Sequence, residues 1–159
     1  MALADVAAFT QCSDEIGEAK ELPMHVSVYH ARRDIAAIVH THAPFITTLS
    51  VLRRPLPPVI DEMMLYYGGA IEVAEYAFTG TEAVGEHVVR ALGDRMGAML
   101  SNHGNLCVGR DLRAALHVAI SMEAAARVYV QALAIGAPVA LPEEAVRAGR
   151  AMFDKRRQQ

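Results

Sequence analysis

The chain has 159 residues, so we expect one domain spanning residues 1–159, within the usual ~100 to 200 residues of a domain. Hydrophobic residues make up 53% of the sequence and charged residues 21%, which supports a buried core and excludes a disordered chain. The formal net charge of −3 gives no basic excess for binding nucleic acid. Charged, His or Pro residues interrupt the apolar runs before they reach the ~20 residues that a membrane span needs.

The first part of the chain alternates between helical and strand patterns. Apolar periodicity predicts a helix over residues 23–32, a strand over 34–42 and a short helix over 44–52. Pro23 suits the first turn of a helix, where the missing N–H costs little. Three prolines make residues 53–58 an irregular connection.

The second part continues the alternation towards a long helix. Residues 71–77 alternate as a strand does, and Thr79 or Thr81 is expected to cap a helix that runs to about Gly93. A strand over 97–101, a turn over 102–105 and a strand over 106–109 follow. The longest helix is capped by Asp111 and stops near Gly136, and a last helix covers about 142–153. This order of elements predicts a layered α/β domain.

Two histidines end the predicted strand over residues 34–42. Side chains repeat every two residues along a strand, so His40 and His42 lie on one face while Thr41 points away. Zinc binds His nitrogens, and a catalytic zinc site commonly has three protein ligands. The best candidate for the third ligand is His103, which lies beside a Gly-containing turn after another apolar strand. Spacing alone leaves a second interpretation, in which these histidines only form hydrogen bonds in a half-buried strand.

An acidic residue stands at the predicted start of the helix that precedes the His40 strand. Glu21 is either a functional acid/base or a helix cap, since carboxylates favour helix N-termini. Asp61 and Glu62 face either a cleft or solvent.

The remaining histidines and cysteines carry weaker predictions. We interpret the histidines within helical patterns, at positions 25, 30, 87 and 117, as surface or capping residues. Cys12 and Cys107 have no CxxC spacing, and Cys107 lies among apolar neighbours, where an inert buried thiol is expected. The N-terminal sequence lacks the pattern of a secretory signal, so we expect a cytoplasmic protein.

The segments 21–25, 38–44 and 102–105, with their order and gaps, resemble the class II aldolase/adducin family of fuculose-phosphate aldolase and ribulose-phosphate 4-epimerase. Four supporting stretches, residues 58–69, 75–82, 91–95 and 108–112, resemble it as well, so the similarity spans roughly residues 21–129. The resemblance implies a three-layer α/β/α fold with a mixed, mainly antiparallel sheet. It also implies homo-oligomers, usually cyclic tetramers, with the active site near a subunit interface.

The same resemblance implies a metal-dependent lyase. His40, His42 and His103 would ligate a divalent metal, usually Zn²⁺, and Glu21 would be the catalytic acid/base. Neutral imidazoles leave the charge of the ion intact, so a small hydroxy-carbonyl or sugar phosphate substrate can chelate it and develop an enediolate when the C–C bond breaks. Glu21 would move the proton.

The chain also departs from the family pattern. Family members carry some 50 further residues before the Glu motif, including phosphate-binding loops, and often two serines before the Glu, where this chain has Ala19 and Lys20. Glu62 stands where the fuculose-phosphate enzymes have a catalytic tyrosine. These differences motivate an alternative, a shortened adducin-like protein that binds metal and oligomerises without catalysis. A third, weaker hypothesis is a zinc hydrolase or hydratase that uses metal hydroxide.

Overall fold

A computed structural model describes residues 20–157 of the chain. The helices are α1 (Leu22–Ala31), α2 (Pro44–Val51), α3 (Asp61–Tyr66), α4 (Glu82–Leu92), α5 (Leu112–Ile135) and α6 (Glu143–Arg157). The strands are β1 (Ala37–Thr41), β2 (Val73–Ala74), β3 (Gly97–Leu100) and β4 (Gly104–Gly109).

The four strands form one mixed sheet in the order β1-β4-β3-β2. The β1–β4 and β4–β3 pairs are antiparallel, and β2 pairs with β3 in parallel. In the first pair Thr41 lies opposite Asn105, so the end of β1 is next to the start of β4 and the turn that precedes it. This register sets the position of every side chain discussed below.

Helices cover both faces of the sheet. Alternate strand residues point to opposite faces, and Met99 and Cys107 pack with α2, α3 and α5 on one side. Leu106 and Val108 pack with α1 and α4 on the other. The expected three-layer α/β/α architecture with a mainly antiparallel mixed sheet is confirmed.

The longest helix, α5, begins where the sequence predicted. Asp111 caps it by accepting a hydrogen bond from the backbone N–H of Ala114 at 2.7 Å. By length and composition alone α5 could cross a membrane. Within the described residues, its inner face packs on the sheet, as the core helix of a layered α/β domain does; the buried residues are Ala115, Val118, Ala119, Met122, Ala125, Ala126 and Tyr129.

Several predicted boundaries were wrong. The strand expected over residues 34–42 covers only Ala37–Thr41, because its partner β4 ends at Gly109, opposite Ala37. Asp34 lies in a turn instead, where its carboxylate bonds to the guanidinium of Arg32. The strand expected over 71–77 covers only Val73–Ala74, although Ile71 also bridges to Leu56. The last strand begins at Gly104, inside the predicted turn. The helix α3 was not predicted at all, since six residues after a proline-rich stretch give little periodic signal.

Candidate metal centre

Four predicted site residues lie together at one end of the sheet. His40 is near the end of β1, His42 follows that strand, His103 lies in the β3–β4 turn, and Glu21 precedes α1. One ligand atom from each of the four lies within 4.8 Å of the ligand atoms of the others. Strand register and helix packing therefore bring together residues that are far apart in the sequence.

The distances within this cluster are short enough for the groups to share one small ion. The Nε2 atoms of His40 and His42 are 3.0 Å apart, and Oε1 of Glu21 lies 3.3 Å from Nε2 of both His40 and His103. Ligands bound tetrahedrally at ~2.0 to 2.1 Å from zinc are separated from one another by about 3.3 Å. The donor set and its spacing fit a divalent metal ion.

His40 is held in one orientation by the neighbouring strand. Its Nδ1 donates to the backbone carbonyl of Asn105 at 2.8 Å, which leaves Nε2 free to bind. The side chain of Asn105, itself fully buried, accepts a hydrogen bond from Thr41 Oγ1 at 2.7 Å. The cross-strand pair of Thr41 and Asn105 thus supports the first histidine from the opposite side of the strand.

His103 is presented by a tight turn. Asn102 adopts a positive φ of 58°, and the backbone N–H of His103 donates to the carbonyl of Leu100 at 3.1 Å. Burial, together with the charges of His40 and His42, lowers the pKa of His103. A lowered pKa favours the neutral imidazole, which is the form that binds a metal.

Glu21 occupies the N-cap position of α1, yet its side chain makes no capping hydrogen bond. The carboxylate turns instead to the histidines and lies 4.0 Å from Nε2 of His42, the farthest of the three. Its side chain keeps 38% of its surface exposed, so solvent or a small molecule can reach it. The capping interpretation of Glu21 was wrong, because its carboxylate faces the three histidines instead of the N–H groups of α1.

Two small cavities adjoin His103. The larger, of about 110 Å³, is lined by the loop after β2 and by the β3–β4 turn, including Tyr76, Thr79 and Asn102. Lys20 and Glu21 line the smaller one, which also contains His103. The sequence motifs did not identify Tyr76 or Asn102 as site residues. Tyr76 lies in a loop without a recognisable catalytic or binding motif, and Asn102 was interpreted only as part of the turn.

The other histidines and acidic residues lie apart from the four. His25 is half-buried rather than on the surface, with its ring 6.5 Å from that of His40, and burial lowers its pKa. Nδ1 of His87 bonds to the carbonyl of Glu75 at 3.0 Å. Asp61 and Glu62 are exposed in the first turn of α3.

A sequence model of the class II aldolase and adducin N-terminal domain matches residues 5–130. The chain belongs to the class II aldolase and adducin family. Its structure matches that of an L-fuculose 1-phosphate aldolase with a TM-score of 0.80 and 35% identity, covering 85% of this chain and 63% of the other.

Curated relatives of this class II aldolase/adducin chain include two named aldolases. A 5-methylthioribulose-1-phosphate/5-deoxyribulose-1-phosphate aldolase of Rhodospirillum rubrum is 36% identical over 124 residues, 78% of this chain and 56% of that protein. An L-fuculose phosphate aldolase of Escherichia coli O6:H1 (strain CFT073) is 37% identical over 119 residues, 75% of this chain and 55% of that protein. The chain therefore spans just over half the length of these relatives.

Proposed function

We propose that this protein is a metal-dependent lyase of the aldolase type, which cleaves or forms a C–C bond beside a carbonyl group. The observation that carries the proposal is the convergence of three imidazole Nε2 atoms and one carboxylate oxygen, all within 4.8 Å, in a chain of the class II aldolase family. In this proposal His40, His42 and His103 are the metal ligands and Zn²⁺ is the ion. Three His ligands are also the set that carbonic anhydrase uses for catalytic zinc.

The protein's own residues have separate tasks in such a reaction. A divalent ion held by the three histidines would supply Lewis-acid polarisation of a substrate carbonyl oxygen. Asn105 keeps the His40 ring oriented through its backbone carbonyl, 2.8 Å from Nδ1. The Glu21 carboxylate, 3.3 Å from Nε2 of both His40 and His103, takes up or returns the proton at the reacting carbon.

We propose a small hydroxy-carbonyl compound, in the first instance a ketose phosphate, as the substrate. The curated relatives are named for phosphorylated ketoses, some of them deoxy or methylthio sugars. Lys20 lines the small cavity that is also lined by Glu21 and His103, and a lysine at this position would offer a point charge to an anionic substrate.

The test is turnover of metal-loaded protein on hydroxy-ketones with and without a phosphate group, with product analysis to separate C–C cleavage from hydration or hydrolysis. We expect cleavage by the parent and at least a ~100-fold loss in Glu21→Gln, the usual scale of acid–base catalysis. The control is Glu143→Gln, at the exposed start of α6, which should react like the parent. Equal rates for the parent and Glu21→Gln would contradict the assigned role, and no turnover on any substrate would contradict the lyase.

A second candidate is a metal-binding, oligomeric adducin-like protein without catalysis. Apolar side chains are exposed on α5, where Leu112 is 65% and Ile120 is 63% exposed, and such a surface favours self-association. This surface fits the homo-oligomer, a tetramer in the first instance, that we propose under either function. Light scattering of the parent and of Ile120→Asp tests the assembly. A parent that is oligomeric and binds metal, yet cleaves no substrate, would favour this second function.

A further inference from the structure

The helix α2 starts almost directly after the second histidine. Only Ala43 separates His42 from Pro44, the first residue of the helix. The first N–H groups of any helix lack partners within the helix, and a Ser, Thr, Asp or Asn at the N-cap usually supplies one. Ala43 occupies the N-cap position and has no side chain that can accept a hydrogen bond.

The missing cap comes from another helix. The two carboxylate oxygens of Glu123, in the middle of α5, accept hydrogen bonds from the backbone N–H groups of Phe45 and Ile46, each at 2.9 Å. Glu123 is half-buried, so solvent replaces these bonds poorly. A negative charge at a helix N-terminus also interacts favourably with the helix dipole.

His42 is held less firmly by its own contacts than the other two histidines are. The His40 ring is fixed by Asn105, and the His103 backbone is fixed inside its turn. The side chain of His42 is 56% exposed, and among the described residues its ring has only His40 Nε2 within hydrogen-bond distance. The direction in which the chain leaves β1 and enters α2 therefore sets where this ring lies.

We propose that Glu123 is a positioning residue for the metal centre, which holds the start of α2 in place and thereby holds His42 at the distance that a shared ion requires. The inference rests on the metal site of the proposed function and not on its lyase activity. Glu123 touches neither metal nor substrate; it acts through two peptide N–H groups and the short link through Ala43.

Zinc affinity, measured by competition with a chromogenic chelator, tests the proposal. We expect Glu123→Ala to bind zinc ~10- to 100-fold more weakly, the usual cost of removing a group that supports a metal ligand. Glu123→Gln should lose less, because its amide oxygen still accepts one hydrogen bond. The matched control is Asp111→Ala, which removes the side-chain cap of α5 and should leave zinc affinity unchanged.

Variants made in a protein that already lacks His42 separate the positioning of His42 from a general loss of stability. In His42→Ala, adding Glu123→Ala should change zinc affinity by less than twofold, because the ligand that Glu123 positions is already gone. A similar loss with and without His42, or the same loss in Asp111→Ala, would overturn the proposal. So would zinc binding by Glu123→Ala within twofold of the parent.

The metal-free protein supplies a readout that does not depend on zinc. In long-range proton–nitrogen NMR spectra, the ring signals of His42 should shift or broaden in Glu123→Ala and stay unchanged in Asp111→Ala. A parent that binds no zinc would refute the metal site of the proposed function, and these spectra would then decide the role of Glu123. Unchanged His42 signals in Glu123→Ala would refute that role.

Discussion

Replacing Gly104 by alanine tests how closely β1 and β4 approach beside the metal centre. A Cβ atom at Gly104 would collide with the carbonyl oxygen of Thr41 and would lie 2.9 Å from Cδ2 of the His42 ring. Non-bonded carbon atoms prefer about 3.5 to 4.0 Å, so the ring must retreat by roughly 0.6 Å or more. The carbonyl group of Thr41 must move as well, because a backbone atom in a paired strand cannot rotate away as a flexible side chain can.

This displacement is large compared with what a metal site tolerates. Metal–ligand distances are held to within about 0.2 Å, so a shift of about 0.6 Å takes His42 out of bonding distance unless the strands part. We expect Gly104→Ala to weaken zinc binding at least ~10-fold. We also expect it to lower the free energy of unfolding by about 1 to 3 kcal/mol, the usual cost of overpacking.

The matched control is Gly136→Ala, which makes the same chemical change in open space. No atom lies within 4 Å of a Cβ built at Gly136, and its φ of 176° suits any residue. Urea unfolding gives the free energies, and chelator competition gives the zinc affinity. If Gly104→Ala and Gly136→Ala both behave like the parent, the close approach of the two strands does not control the position of His42, and the reasoning fails.

Three further outcomes are expected. His103→Ala should lower the zinc content from about one ion per chain to a small fraction of that, measured by mass spectrometry of protein purified without chelator, and an unchanged content would remove His103 from the ligand set. The Arg32 guanidinium beside Asp34 holds the pKa of that carboxyl well below its usual range, so its ionised form stabilises the fold at neutral pH. The stability advantage of the parent over Asp34→Asn should therefore be full above about pH 5 and shrink as the pH falls below about 4, and a difference that grows in acid would contradict this sign. Burial raises the pKa of the Cys107 thiol to about 12, so iodoacetamide should modify this residue only in unfolded protein, and peptide mapping that finds it labelled in native protein would refute the assignment.

The sequence predicted the local parts of this protein well, because local patterns obey local rules. The two-residue period of a strand explains why His40 and His42 share a face, and their Nε2 atoms do lie 3.0 Å apart. The Asp111 cap of α5 depends only on the next three residues. The resemblance to the class II aldolase and adducin family was confirmed, since it rests on several motifs in order.

Other features could not be predicted from local patterns, because they depend on residues far apart in the chain. Whether residues 71–77 form a long strand depends on a partner, and β3 pairs in parallel with only Val73 and Ala74. The direction of the Glu21 side chain could not be predicted from the sequence, because a carboxylate before a helix suits a cap as well as an active site. Only the tertiary structure, in which the residue before α1 lies beside the end of β1 and the β3–β4 turn, brings that carboxylate within 3.3 Å of His40 and His103.

The sequence by itself therefore determined which chemical groups are present and which face of its own element each one occupies. The tertiary structure decided how far apart those groups lie, through the pairing of Thr41 with Asn105, which places the end of β1 beside the turn that carries His103. It also supplied Glu123 as the cap of a helix whose own sequence provides none. Distances between elements follow from packing and strand register, and these are properties of the whole chain.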